Sequence, residues 1–191
     1  MTLPSTIDVR RAKDRYVTDA GRLDSKHSFS FSHHYDQANT HHGLLLVNND
    51  EIVSAGTGIL HSEKNDAWRL GHAEHDEPVH FIQMWVVPDD RGIVPGYEQL
   101  DIEPARLVSG LVSVASGMER HANDTAIRIK NRYAALYAAR LEPGQSVQRP
   151  DAPFVHLFVP RGIVELEGTG VIVAGDAVRF SAIGGQRVSA V

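Results

Sequence analysis

Short apolar runs dominate the chain, and each ends in residues that favour turns. "HSFSFSHHYD" (27–36), "GLLLVNND" (43–50), "HFIQMWVVPDD" (80–90), "RLVSGLVSVASG" (106–117), "FVHLFVPRGIVELEG" (154–168) and "GVIVAGDAVRFSA" (170–182) each read as strand bounded by turn chemistry. "VNND", "VPDDRG", "EPGQ", "VPRG" and "AGD" stop the runs because Gly, Asn and Asp tolerate turn backbone, while Pro presets it. Residues 126–141, "AIRIKNRYAALYAARL", pull two ways: Ala, Leu and Arg favour helix, whereas Ile127 and Ile129 alternate as in a strand. The alternation is taken to win. Regularly spaced short strands predict an all-β sandwich or barrel. A boundary is expected at the polar stretch "MERHANDT", dividing the chain into 1–120 and 121–191.

Composition narrows the function. Of 191 residues, 42% are hydrophobic and 23% charged, enough for a buried core, and the net charge of −5 argues against a broad grip on nucleic acid or anionic lipid. There is no cysteine, which excludes disulfides, thiolate ligands and a cysteine nucleophile. No signal-peptide core or membrane-length apolar run is read, so a cytoplasmic location is expected. The cluster "VRRAKDR" (9–15) is read as a solvated face. No P-loop, dinucleotide fingerprint or nucleophile elbow occurs.

Histidine is the compositional oddity: eight of the 11 lie between residues 33 and 80. His61 and Glu63, in "SAGTGILHSEKND", have strand spacing that aims an imidazole and a carboxylate at one ion. That mixed donor pair suits a divalent transition metal. His33 and His34, like His41 and His42, are adjacent, so in a strand only one of each pair could assist. His72 and His75 fall in an acidic loop, "GHAEHDEP". His80 shares strand parity with Ile82, Met84 and Val86 and is expected to line a core or pocket. His156, flanked in parity by Phe154 and Phe158, is expected to be structural, which leaves the C-terminal half metal-free.

"SAGTGILHSEKN" followed by "PVHFIQMWVVPD", with "APFVHLFVPRGIVELEG" further on, resembles the pirin family, whose members include quercetin 2,3-dioxygenase-like proteins. The resemblance implies an all-β tandem cupin (bicupin) fold with one metal, iron above others, in the N-terminal barrel. It also implies a His-x-His pair and a later His-x-Glu pair as ligands, a small aromatic or flavonol ligand, and Glu63 as the base that takes the flavonol's hydroxyl proton. The second pair maps onto His61 and Glu63. The first has no counterpart, because "NNDEIV" runs straight into "SAGTG" and places an apparent deletion near 53/54. A truncated barrel is expected to expose strand edges through which copies of the chain could associate. Two readings stay open: a metal-dependent dioxygenase, and a non-catalytic relative that binds a small molecule or a protein.

Overall fold

The computed structural model describes residues 5–19, 24–28, 44–48, 51–55, 80–86, 88–90, 92–94 and 96–191. Their elements are strands β1 (Thr6–Arg10), β2 (Tyr16–Asp19), β3 (Asp24–His27), β4 (Leu44–Asn48), β5 (Glu51–Ala55), β6 (Phe81–Trp85) and β7 (Tyr97–Asp101). Helix α1 (Pro104–Val108) follows, then β8 (Val112–Ser116), β9 (Ile127–Arg128), β10 (Ala135–Ala138), β11 (Ser146–Gln148) and β12 (Phe154–Phe158). The chain ends with β13 (Ile163–Leu166), β14 (Gly170–Val173), β15 (Ala177–Ser181) and β16 (Arg187–Ala190). The all-β expectation holds. Within "RLVSGLVSVASG", however, the first half is the end of α1 rather than strand: Pro104 suits the first helical position, and Gly110 (φ 140°) follows the last turn. Within residues 126–141 the elements are the strands β9 and β10, as expected, although Ile129 lies beyond the end of β9. Among the described residues no helix is long and apolar enough to cross a membrane.

The chain divides into two compact units. The division does not follow the expected 1–120 and 121–191. Residues 41–107 and 112–138 form one unit, and residues 1–40 and 139–191, with 108–111, form the other. Strand pairing explains the difference: β1 joins β15, and β10 joins β8, so each unit recruits chain from beyond the polar stretch.

In the unit that holds both termini, the sheet β1-β15-β12 faces the sheet β11-β16-β13-β14. Val178 and Phe180 of β15, Leu166 of β13, Ile172 of β14 and Val188 of β16 are buried between them, with Val155 and Leu157 packed alongside. The opposite parity of the first sheet carries the cross-strand row Asp8–Arg179–His156. The other unit has the sheet β6-β4-β5-β7 and the sheet β10-β8-β9, the latter with a parallel β8–β9 pair. Its core joins Ile102, Leu107, Val114, Ala115 and Ile127, with Met84 of β6 packed against them.

Candidate functional site

The family signature brackets the central sheet of the second unit. β4 and β5 form a hairpin in which Asn48 opposes Glu51, so only Asn49 and Asp50 connect them. β5 is unbroken from Glu51 to Ala55 and paired on both edges. Val53 lies between Leu46 of β4 and Gln99 of β7, and Ser54 lies between Leu45 and Glu98. The expected junction at 53/54 is therefore the middle of a continuous, doubly paired strand. On the far side of β4, β6 carries "FIQMW" in unbroken register from Phe81↔Asn48 to Trp85↔Leu44.

The turn after β6 is pinned by Asp89. Its Oδ2 accepts the Arg132 N–H at 2.8 Å and Nε–H at 3.1 Å, while its own N–H donates to Lys130 O at 2.8 Å. Those contacts, the Arg132 backbone N–H first, hold the carboxyl below the usual Asp range. Asp89 thus ties the exit of β6 to the β9–β10 connection, which accounts for an acid in "VVPDD".

His61 and Glu63, the expected ligand pair, lie outside the described residues, as do His33, His34, His41, His42, His72 and His75. Among the described residues no group of three or more His, Asp or Glu side chains could hold a metal ion.

His27 closes β3 opposite Tyr16, and three further histidines can be placed with their surroundings. His80 departs from expectation: it precedes β6 instead of belonging to it, and it is exposed. Its parity with Ile82 and Met84 lapses because the strand begins one residue later. His121 sits in the turn after β8, with Nδ1 2.8 Å from Ser116 Oγ and Nε2 3.0 Å from the Tyr137 hydroxyl. Ser116 Oγ also accepts the Met118 N–H at 3.0 Å. A serine beside a histidine suggests a nucleophile and its base. Ser116 has no solvent exposure, so this network fixes the 118–121 turn and attacks nothing.

His156 lies opposite Arg179 on β15. Desolvation by the groups crowding it, then the Arg179 charge, depress its pKa to about 4. His156 is nonetheless exposed along β12, so solvent reaches part of it.

The sequence reading missed two polar residues that organise the first unit. Asp176, 1% exposed, is the acid of the "AGD" turn between β14 and β15. Its Oδ1 accepts the Ala12 N–H at 2.6 Å, and its Oδ2 accepts from Arg11 Nη1 at 2.8 Å and from the Val173 N–H at 3.2 Å. Burial alone would raise its pKa, but these donors outweigh it and the net shift is downward. "VRRAKDR" is accordingly not a wholly solvated face: Arg11 serves Asp176, and Arg15 is half-buried with its guanidinium 5.8 Å from the Phe158 ring centroid. The second missed residue is Arg149, 5% exposed and 4.5 Å over the Phe180 ring.

No family model matches the chain. The chain is 44% identical over 224 aligned residues to "Putative quercetin 2,3-dioxygenase Rv0181c" of Mycobacterium tuberculosis, an alignment covering 94% of this chain and 88% of that one. It is 27% identical over 208 residues to "Quercetin 2,3-dioxygenase" of Escherichia coli K12, covering 85% and 84%. Both alignments are longer than the 191-residue chain itself, so they include positions with no residue here. In fold it is similar to the bacterial pirin YhhW from Escherichia coli in complex with nickel(II). The TM-score is 0.73 at 19% identity, over 97% of this chain and 94% of that one.

Proposed function

The chain belongs to the pirin family of cupin proteins, and from that premise we propose that it is a member with half a metal site, one that binds without opening flavonol rings. The observation that carries this reading is the run of β5 straight through Val53 and Ser54, where the family pattern requires a segment bearing His-x-His. The alignments with the dioxygenase-named relatives, longer than the chain, support the same reading. His61 and Glu63 supply two donors. Metal sites in proteins generally use three or more, and even loss of outer-shell support costs about 10–100-fold in affinity. The residues present therefore do not fit the family's metal, and no catalytic step is assigned to Glu63.

The ligand class is a small planar aromatic molecule, on the strength of the flavonol named for the relatives. The polypeptide, loaded with Fe(II) or Ni(II) and dialysed against a chelator, is expected to hold well under one metal per chain. It should consume no oxygen with quercetin, and His61→Ala should change neither result. Quercetin binding, followed by fluorescence in the presence of chelator, should persist. Stoichiometric metal, lost together with turnover in His61→Ala or Glu63→Gln, would overturn the reading.

The second reading is an active metal-dependent dioxygenase, favoured by the 44% identity to a relative so named. It requires the gene to encode a His-x-His segment between Val53 and Ser54. Sequencing the transcript decides that point.

A further inference from the structure

We propose that Arg11 and Asp176 form a cap on the edge strand β14, and that the cap keeps this edge from pairing with a second copy of the chain. The argument begins with which backbone groups face outward. The Val191 N–H donates to Ile163 O, which turns the polar groups of Ile163 toward the β16 side. Groups alternate along a strand, so Val164 and Leu166 face β14, where they oppose Ile172 and Gly170. Val171 and Val173 then present their N–H and C=O groups at what is, among the described residues, the open edge of the sheet.

Three of those four outward groups have partners. Val171 O accepts from Arg11 Nη1 at 2.8 Å. The Val173 N–H donates to Asp176 Oδ2 at 3.2 Å, and Val173 O accepts the Asp176 N–H at 2.9 Å. One guanidinium nitrogen therefore bridges the edge carbonyl and the carboxylate that holds the next residue. The Ala12 N–H fixes the other carboxylate oxygen, so residues 11–12 lie along the edge as a strap. Gly175 makes room for it: a Cβ there would stand 3.0 Å from both Ala12 Cβ and Arg15 Nη2, and its φ of 86° disfavours other residues besides.

An uncovered edge is a ready template for another strand. This one would be a good template, because the outward side chains of its rim are apolar: Val171 is 51% exposed, and Val173 and its neighbour Ile163 are 39% and 45% exposed. The occupant that fits is a second copy, since an antiparallel strand paired with itself about a two-fold axis presents the same apolar face from both sides.

The test compares the parent with Arg11→Ala by sedimentation velocity over a concentration series. Amide exchange at Val171 and Val173 is followed in parallel. Arg11→Ala is expected to double in mass relative to the parent as concentration rises, with exchange at Val171 slowing in step. Arg11→Gln, which keeps part of the contact, should do the same at higher concentration. Adding Val173→Lys, a charge on the exposed face of the edge strand, should return Arg11→Ala to the parent's mass. Any of three results overturns the proposal: Arg11→Ala folded at the parent's mass throughout, association that Val173→Lys does not reverse, or loss of fold in both Arg11 variants without association.

Discussion

Replacing Arg149 by lysine keeps the charge and most of the length, yet the structure predicts a large loss of stability. The guanidinium spends its donors on three acceptors: Nε on Gln186 Oε1 at 2.6 Å, Nη1 on Pro150 O at 2.9 Å, and Nη2 on Ile183 O. Its flat face covers Phe180, which is 1% exposed at the centre of the core. An ammonium can satisfy one of those acceptors and cannot stack. Two acceptors in a nearly buried site are then left short, at about 1–3 kcal/mol each, and a desolvated cation–ring contact worth about 1–2 kcal/mol is weakened. The total is on the order of 3 kcal/mol or more, against whole-domain stabilities of about 5–15 kcal/mol. With a urea dependence of about 1–3 kcal/mol per molar, the midpoint should fall by about 1–3 M. Urea titration followed by exchange of the β15 amides reads the unit concerned. A midpoint within about 0.3 M of the parent would refute the reasoning, because it would mean that charge alone, and not the planar fork, is what the site requires.

His156, depressed in the fold to about 4 from an ordinary 6.5, makes a contribution to stability that is fully present above pH 6.5 and lost as pH falls toward 4; discounted for the ring's access to solvent it is about 1 kcal/mol. His156→Gln should flatten the parent's stability slope over that window, and equal slopes in the two proteins would sink the assignment. Gly117→Ala should cost at least about 3 kcal/mol or prevent folding, since a Cβ there would stand 1.9 Å from Asn131 O and 2.7 Å from Ile129 O, both backbone atoms; a melting temperature equal to the parent's would contradict the close approach of the end of β8 to the β9–β10 connection.

Local chemistry was legible in the letters, and long-range partnership was not. "VPRG" and "AGD" announced the β12–β13 and β14–β15 turns because Gly162 and Gly175 adopt positive φ. Residues 127–128 and 135–138 are strand despite the helix-forming alanines around them. Periodicity carries no information about which strand a strand will meet, so the pairing of β1 with β15, and the transfer of residues 1–40 to the unit containing the C-terminus, lay beyond it. Arg11 read as one member of a basic cluster because its partner, Asp176, is 165 positions away. Proline at the start of α1 was the overlooked cue in residues 104–108. At the candidate site, strand spacing singled out His61 and Glu63 as a pair, and both lie outside the described residues.

The proposed half-site would be compatible with a stable fold for a reason found in β5. Removing chain from the middle of a strand is tolerated only if the two sides resume the same parity, because a slip of one residue turns every following side chain to the opposite face. Across Val53 and Ser54 the register with β4 and β7 advances one residue at a time, with no bulge on either edge. The backbone hydrogen bonds of this segment therefore go to β4 on one side and β7 on the other, and the junction leaves no backbone polar group in need of a new partner. A junction of this kind separates two properties that a family pattern normally carries together. The sheet retains its pairing, whereas the chelation proposed to be lost depends on side chains converging from two segments. On that proposal, fold and metal affinity are set by different residues. The chelator-dialysis experiment and a thermal melt on the same sample should accordingly give opposite answers, a cooperative transition with little metal retained.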